Sequence, residues 1–183
     1  MSIRIFWDQR APDGLQEPVR RQISQVLGEP VTLCENPVML RGFDRQRKQC
    51  DAHKILSDMQ DFYTRFNGCE DIILIVTSED LYIPGRDFVF GLARAQINAC
   101  IVSSARLTNG FYGYPDRLDE LVDRLVKEGT HELCHCMGLE HCDDPECIMF
   151  YPQTLDELDR KKKALCAACQ AELALSRDTG ELI

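Results

Sequence analysis

Hydrophobic residues follow strand-like and helix-like spacing in turn along the first third of this 183-residue chain. Ile3 to Trp7 alternates polar and apolar positions like a strand, and Leu15 to Leu27 has its apolar residues at helical spacing. Pro30 to Cys34 has the composition of a second strand, and Asp51 to Phe66 again shows helical spacing. The pattern therefore predicts two strands, each followed by an amphipathic helix.

The middle of the chain predicts further strands and one long helix. Asp71 to Thr77 is nearly all β-branched or leucine, which is typical of a strand covered on both faces of a sheet. Phe88 to Phe90 and Ala99 to Ser103 are candidate strands as well. From Pro115, an apolar stripe at helical spacing runs toward His131. Strands that alternate with helices predict an α/β fold.

The pattern changes after Gly138, and helical periodicity returns only at Leu155. Thr154 and Glu157 form a candidate capping box for a last helix. The basic run from Arg160 to Lys163 lies next to acidic residues, so we expect it to form a solvated helix face. We expect one domain, with a subdomain boundary near Gly138 that separates residues 1–138 from residues 139–183.

Composition narrows the function classes. The chain is 44% hydrophobic and 28% charged, as expected for a globular protein, and it shows neither a signal peptide nor an apolar run of about 20 residues. We therefore expect a soluble, cytoplasmic protein without a membrane partner. The net charge is −9 and the basic residues are dispersed, which argues against a nucleic-acid partner. The sequence leaves the oligomeric state open.

Three of the four histidines fall within eleven residues, His131, His135 and His141. On a helix, His131 and His135 lie about 40° apart and one turn along, so both imidazoles can reach one metal ion. Gly138 can adopt the left-handed conformation that ends a helix, which would bring His141 back toward the same ion. Three protein ligands and one open position for water are typical of catalytic zinc.

Glu132 is adjacent to the first histidine and is placed to hydrogen-bond a metal-bound water, the position of a general base. Zinc lowers the pKa of such a water to about 7, so the carboxylate can accept its proton at neutral pH. His53 lies on an upstream helix, and we expect it at the surface. Cys134 and Cys136 lie inside the motif helix, and we expect them to pack in the core rather than bind metal.

The motif H-E-x-x-H-x-x-G-x-x-H resembles that of the metzincin zinc peptidases, and the residues that follow it narrow the likeness to archaemetzincins. These residues are Cys142, Cys147, Met149, Cys166 and Cys169. The resemblance is specific and covers residues 131–169. It implies a twisted mixed sheet with helices, an upper N-terminal and a smaller lower C-terminal subdomain, and an active-site cleft between them.

The resemblance also implies roles for the residues after the histidines. The four cysteines Cys142, Cys147, Cys166 and Cys169 would hold a structural zinc ion in a closed tetrahedral site, which makes two zinc ions in all. Two disulfides or free thiols are the alternatives. Met149 would form the Met-turn beneath the histidines, and Tyr151 is a candidate oxyanion stabiliser. Cys34, Cys50, Cys69 and Cys100 are scattered, and we expect buried, inert thiols.

These patterns predict a zinc-dependent peptidase that acts on peptide or protein substrates. In metzincins the substrate lies along an edge strand of the upper sheet, and Ala99 to Ser103 is the candidate strand here. The rival hypothesis is a zinc-binding protein without proteolytic activity, with a regulatory or partner-binding role. Glu132 favours the enzyme, because a structural site needs no base beside an open metal position. Side-chain preference, and endopeptidase against aminopeptidase action, stay open.

Overall fold

The structure is a computed structural model that describes residues 2–34, 42–66 and 71–179, with the backbone alone for residues 62–66 and 177–179. The strands within these ranges are β1 (Ile3–Trp7), β2 (Val31–Cys34), β3 (Phe43–Asp44), β4 (Gln49–Asp51), β5 (Ile72–Thr77), β6 (Leu81–Tyr82), β7 (Gly91–Arg94) and β8 (Ala99–Ser103). The α-helices are α1 (Gln16–Leu27), α2 (Ala52–Phe66), α3 (Leu118–Cys136), α4 (Leu155–Arg160) and α5 (Ala167–Thr179). The fold is therefore mixed α and β, as the sequence predicted.

Five strands form the main sheet in the order β2-β1-β5-β8-β7. The first four run parallel, and β7 pairs antiparallel with β8 at the edge of the sheet. Strands β3, β4 and β6 form a second, small sheet. The mixed sheet agrees with the expectation drawn from the motif, but β8 is not an edge strand. The prediction that Ala99 to Ser103 is an edge strand is therefore wrong, because β8 pairs on both sides and β7 forms the edge next to it.

Both faces of the main sheet are covered by helices. Every residue of β5 is buried, and its side chains alternate between two hydrophobic clusters. One cluster contains the apolar side chains of α1 and α3, and the other those of α2. The larger cluster continues past Gly138 into the C-terminal segment, where it includes Ile148 and Leu158. Residues 71–77 were predicted to form a strand covered on both faces, and the structure confirms this for β5. Burial on both faces explains why its apolar run is unbroken.

Two predicted boundaries differ from the structure. The strand expected at Phe88 to Phe90 lies three residues later, at Gly91–Arg94, where side chains of mixed polarity are only half-buried. The last helix is divided into α4 and α5 by the segment 161–166. Thr154 does cap α4, because its hydroxyl oxygen accepts a hydrogen bond from the amide of Glu157 at 3.3 Å. None of the described helices is both long and apolar enough to cross a membrane.

The basic residues 160–163 do not form the solvated helix face that the sequence predicted. Lys162 and Lys163 are exposed and pair with Glu146 and Asp123, as a solvated surface would allow. Lys161, in contrast, has a fully buried side chain. The three lysines lie in the segment that turns between α4 and α5, so they do not share one helix face. Sequence spacing within a helix therefore could not indicate which of them points inward.

Candidate active site

The C-terminal end of α3 supplies the first part of the site. The amide of Met137 donates to the carbonyl oxygen of Leu133 at 3.1 Å, and the amide of Leu139 donates to that of Cys134 at 3.0 Å. Gly138 has a φ of +94°, the left-handed conformation that glycine adopts without a steric penalty from Cβ. The helix therefore ends at the predicted glycine, and the chain reverses toward His141.

This reversal brings the three predicted histidines together. The imidazole nitrogens of His131, His135 and His141 lie within 4.8 Å of one another. The ring of His131 lies 4.6 Å from that of His135 and 5.3 Å from that of His141, measured between centroids. Two of the rings come from successive turns of α3 and the third from the segment after the turn. The described chain thus gathers three nitrogen donors around one point.

Backbone carbonyl groups orient two of these rings. His131 Nδ1 donates a hydrogen bond to the carbonyl oxygen of Ile148 at 2.9 Å, and His135 Nδ1 donates to that of Leu139 at 2.6 Å. A carbonyl oxygen only accepts, so both protons lie on Nδ1 and both Nε2 atoms carry lone pairs. These Nε2 atoms face each other at 3.1 Å. Two such lone pairs repel, and a cation between them removes the repulsion.

The donor set fits zinc. Two nitrogens bound to tetrahedral zinc at 2.0 to 2.1 Å are separated by about 3.3 Å, which is close to the observed spacing. Burial lowers the pKa of His131 well below its ordinary value and also lowers the pKa of His135 and His141. All three imidazoles are therefore neutral near pH 7, the form that binds metal.

Glu132 lies beside the histidines and opposite the edge strand. Its side chain is buried, and burial together with the nearby Glu128 raises the pKa of its carboxyl well above the usual range. A Cβ atom added to Gly91, the first residue of β7, would lie only 2.6 Å from Glu132 Oε1 and 2.8 Å from the carbonyl oxygen of Ile101. Glycine is thus the one residue type that leaves space for this carboxylate.

The four predicted cysteines form a second cluster. The Sγ atoms of Cys142 and Cys166 are 3.8 Å apart, as are those of Cys147 and Cys169, and all four lie within 4.8 Å of one another. A disulfide requires about 2.05 Å, whereas two sulfurs on tetrahedral zinc are separated by about 3.8 Å. The cysteines are accordingly present as free thiols in this structure.

The backbone around this cluster favours thiolates. The amides of Met149 and Cys166 approach Cys147 Sγ at 3.5 and 3.3 Å. The amide of Cys169 lowers the pKa of the Cys166 thiol to about 7, because a hydrogen bond to sulfur stabilises its charged form. Burial and the neighbouring thiols raise the pKa of Cys169 well above its ordinary value. The amide of Asp144 lowers the pKa of Cys142, but burial and the neighbouring thiols outweigh it and raise that pKa. A zinc ion would supply the positive charge that stabilises adjacent thiolates, so four clustered sulfurs fit that ion.

Met149 and Tyr151 lie on the segment that follows the cysteines. Met149 is fully buried, and its carbonyl oxygen accepts a hydrogen bond from the amide of Cys142 at 3.0 Å. The ring of Tyr151 lies 4.9 Å from that of His141, and its hydroxyl accepts a hydrogen bond from Arg86. The ring of Tyr151 therefore lies beside the histidines, and its hydroxyl contacts Arg86.

The remaining candidates behave mostly as predicted. Cys134 and Cys136 are buried in the cluster beneath α3, and His53 is exposed. The scattered cysteines Cys50 and Cys100 are buried, and burial raises the pKa of the Cys50 thiol to about 11, so it stays protonated. Cys34 is only half-buried, because it lies on the outermost strand β2, and Cys69 lies outside the described residues.

An open cavity of about 850 Å³ contains the histidines and Glu132. The edge strand β7 and the residues before it form one wall, and the segment from Gly138 to Gln153 contributes the other. Sequence reasoning missed Gly91, Arg86 and Glu128, which also line it. Glu128 could have been noticed, since it precedes Glu132 by one helical turn. No motif marks Gly91 or Arg86. The pairing of β7 with β8 brings Gly91 here, and Arg86 lies in the loop that precedes β7.

Comparison with known proteins gives consistent matches. The sequence model of Peptidase family M54 matches residues 29–175. The archaemetzincin of Halobacterium salinarum is 38% identical over 160 residues, which span 83% of this chain and 90% of that protein. These similarities extend well beyond the histidine and cysteine segment into the N-terminal part, where the sequence carries no comparable motif.

Two solved structures are similar to this chain in their fold as well as in their sequence. A zinc-dependent peptidase from Methanocorpusculum labreanum superposes with a TM-score of 0.88 at 44% identity, covering 94% of this chain and 100% of that one. Archaemetzincin from Methanopyrus kandleri superposes with a TM-score of 0.82 at 32% identity, covering 97% of this chain and 96% of that one. The likeness therefore extends over nearly the whole chain.

Proposed function

The chain belongs to peptidase family M54, and from this premise we propose that it hydrolyses peptide bonds in the histidine cavity. His131, His135 and His141 are the proposed ligands of a catalytic zinc ion, and Glu132 is the proposed general base. The observation that carries this proposal is the convergence of three neutral imidazoles beside a buried carboxylate. Among the described residues, no fourth histidine, cysteine or carboxylate joins that group.

The chemistry divides between the ion and the chain. When bound, zinc supplies Lewis acidity that activates water and polarises the peptide carbonyl group. Glu132 accepts the proton of the attacking water and then delivers it to the leaving nitrogen. The burial of Glu132 suits the second step, because a carboxyl that holds its proton more firmly in apolar surroundings stays protonated until the amine forms.

We propose that the substrate lies along β7 rather than β8. Among the described residues, β7 pairs with β8 alone, so the backbone groups on its other side are available beside the cavity that Gly91, Leu92 and Ala93 line. An extended peptide can add to such an edge through main-chain hydrogen bonds. Tyr151 is the proposed oxyanion stabiliser, supported by its ring position beside His141.

The second zinc ion is proposed for the four-cysteine cluster. Its sulfur spacing and its amide hydrogen bonds support a closed thiolate site. Such an ion would join α5 to the segment that carries His141, and it would stabilise the lower subdomain proposed for residues 139–183. Free thiols at this density are compatible with the reducing cytoplasm, which is the proposed compartment. The net charge of −9 supports peptides rather than nucleic acid as substrates.

The test combines metal content with turnover. The purified chain should contain two zinc ions, and it should cleave members of a mixed peptide library. Glu132→Gln should retain both ions and lose about 100-fold to 10,000-fold in kcat, because it removes the base without removing a ligand. Lys162→Met, which changes an exposed side chain, serves as the control. Retained zinc with no Glu132-dependent turnover would instead indicate a zinc-binding protein without proteolytic activity.

A further inference from the structure

Lys161 is a buried charge that the proposed mechanism does not use. Its side chain has no exposed surface, and its Nζ atom lies 3.6 Å from Oε2 of Glu128, whose side chain is 5% exposed. Neither atom has a hydrogen-bond partner among the described residues. The next two residues, Lys162 and Lys163, are exposed. Burial is therefore a property of Lys161 and not of the basic run as a whole.

Stability does not account for this pair. Transfer of an ammonium and a carboxylate out of water is unfavourable, and their attraction offsets that cost only with good geometry and further hydrogen bonds. Lys161 Nζ and Glu128 Oε2 are within ion-pair distance, but neither atom makes such a hydrogen bond in the part of the chain that the structure describes. Apolar side chains of similar volume often stabilise a fold at least as well as a buried ion pair. The position of the pair next to Glu132 offers a better explanation of why these two charges are buried.

Glu128 and Glu132 belong to the same face of α3. They are four residues apart, so they lie one above the other on successive helical turns, and both line the histidine cavity. Two buried carboxylates in this arrangement repel each other. Burial lowers the pKa of Lys161, and the charges of Glu128 and Glu132 both oppose that shift, so the lysine interacts with both carboxylates. On its far side, Glu132 is in close contact with the backbone of Gly91.

We propose that Lys161 and Glu128 form a positioning pair for Glu132. Lys161 attracts the Glu128 carboxylate, which leaves Glu132 free to hold its own carboxylate against Gly91 in the cavity. Without Lys161, the charge of Glu128 is unbalanced and displaces Glu132. Without Glu128, Lys161 attracts Glu132 instead and turns it away from the substrate. This inference rests on the proposed role of Glu132 as general base.

Three variants of the zinc-loaded full-length chain test the pair: Lys161→Met, Glu128→Gln and the double variant. Glu128→Gln removes the negative charge with almost no change of side-chain shape. It therefore tests the pair even if Lys161→Met does not fold. Lys162→Met is the matched control, because it removes a neighbouring lysine whose side chain is exposed. Measurements are kcat and KM on one peptide, zinc content, the folded fraction at the assay temperature, and crystal structures of the variants.

Each single variant should lose about 10-fold to 100-fold in kcat per folded, zinc-loaded molecule, because small displacements of a reacting group are costly. KM should change less than kcat does, because the proposed effect of the pair is on the position of Glu132. The double variant, which removes both charges, should return to within about threefold of the parent. Crystal structures of the single variants should show the Glu132 carboxylate displaced from Gly91.

Two results would overturn the proposal. The first is an unchanged kcat per folded molecule in the single variants with a lower thermal midpoint, which would make the pair merely structural. The second is a Glu132 carboxylate that stays against Gly91 in both single-variant structures. A parent chain that cleaves no peptide would contradict the proposed function, whereas the crystal structures would still report on the positioning pair.

Discussion

His131 Nδ1 donates a hydrogen bond to the carbonyl oxygen of Ile148 across 2.9 Å, which links the end of α3 to the segment that carries Met149. The same ring presents Nε2 toward His135. A backbone carbonyl group after Gly138 therefore orients a histidine of α3, and any residue at position 148, proline included, would supply that group. The orientation of His131 consequently depends on the packing of this segment against α3.

Gly138→Ala should weaken zinc binding at the histidine site. An L residue at a φ of +94° costs about 1 to 2 kcal/mol, and relief of that strain would move His141 out of the group. Gly113→Ala is the matched control, because Gly113 has a φ of +82° in a turn away from the cavity. Zinc titration against a chelating dye should show weaker binding for Gly138→Ala only. Equal affinity in both variants would contradict the role assigned to this turn.

Gly91→Ala should abolish most activity. The new methyl group would overlap Glu132 Oε1 and the carbonyl oxygen of Ile101, and the overpacking should cost about 1 to 3 kcal/mol of stability. Val19→Ala, in the core beneath α1, is a control that lowers stability without touching the cavity. At a temperature where both variants are folded, kcat should fall only in Gly91→Ala. A parent-like kcat there would show that Glu132 has more room than the structure indicates.

Loss of the cysteine cluster should lower the free energy of unfolding more directly than it lowers catalysis. The double variant Cys166→Ser, Cys169→Ser should contain one zinc ion instead of the proposed two and should lose a large part of its unfolding free energy, because structural zinc contributes to folding directly. Cys34→Ser, outside the cluster, should retain both ions. Metal analysis and thermal unfolding measure the two effects. Two retained ions in the double variant would disprove the four-cysteine assignment.

Tyr151→Phe should distinguish the contribution of the hydroxyl to catalysis from the contribution of the ring. The ring packing against His141 stays, whereas the hydrogen bond from Arg86 and any bond to the reacting oxygen are lost. A role as oxyanion stabiliser predicts a fall in kcat of about 10-fold to 1,000-fold, with a smaller change in KM. Tyr112→Phe, which removes a hydroxyl that donates to the carbonyl oxygen of Arg106, is the control. Equal kinetics in both variants would rule out this role for Tyr151.

Local chemistry made much of the site predictable. The spacing of His131 and His135 depends only on helical geometry, and the turn at Gly138 depends on the conformational freedom of glycine. The four cysteines were recognisable because two short-spaced pairs are typical of zinc sites. Helices α1, α2 and α3 and strand β5 were predictable for the same reason, since burial imposes a period on residues that are close in sequence.

Contacts between segments that are distant in sequence could not be predicted from local sequence patterns. Strand order decided that β7, and not the more hydrophobic β8, forms the free edge, and it brought Gly91 against Glu132. Packing of the segment after α4 decided that Lys161 points inward while its two neighbours stay exposed.

By itself, then, the sequence determined which residues could bind metal and which helices would present them, because those properties arise within a few turns of chain. Tertiary structure alone decided which strand lies at the edge of the sheet beside the cavity and which buried charge lies near Glu132. Those relationships join residues far apart in sequence, and they depend on sheet pairing and on core packing that no local period encodes.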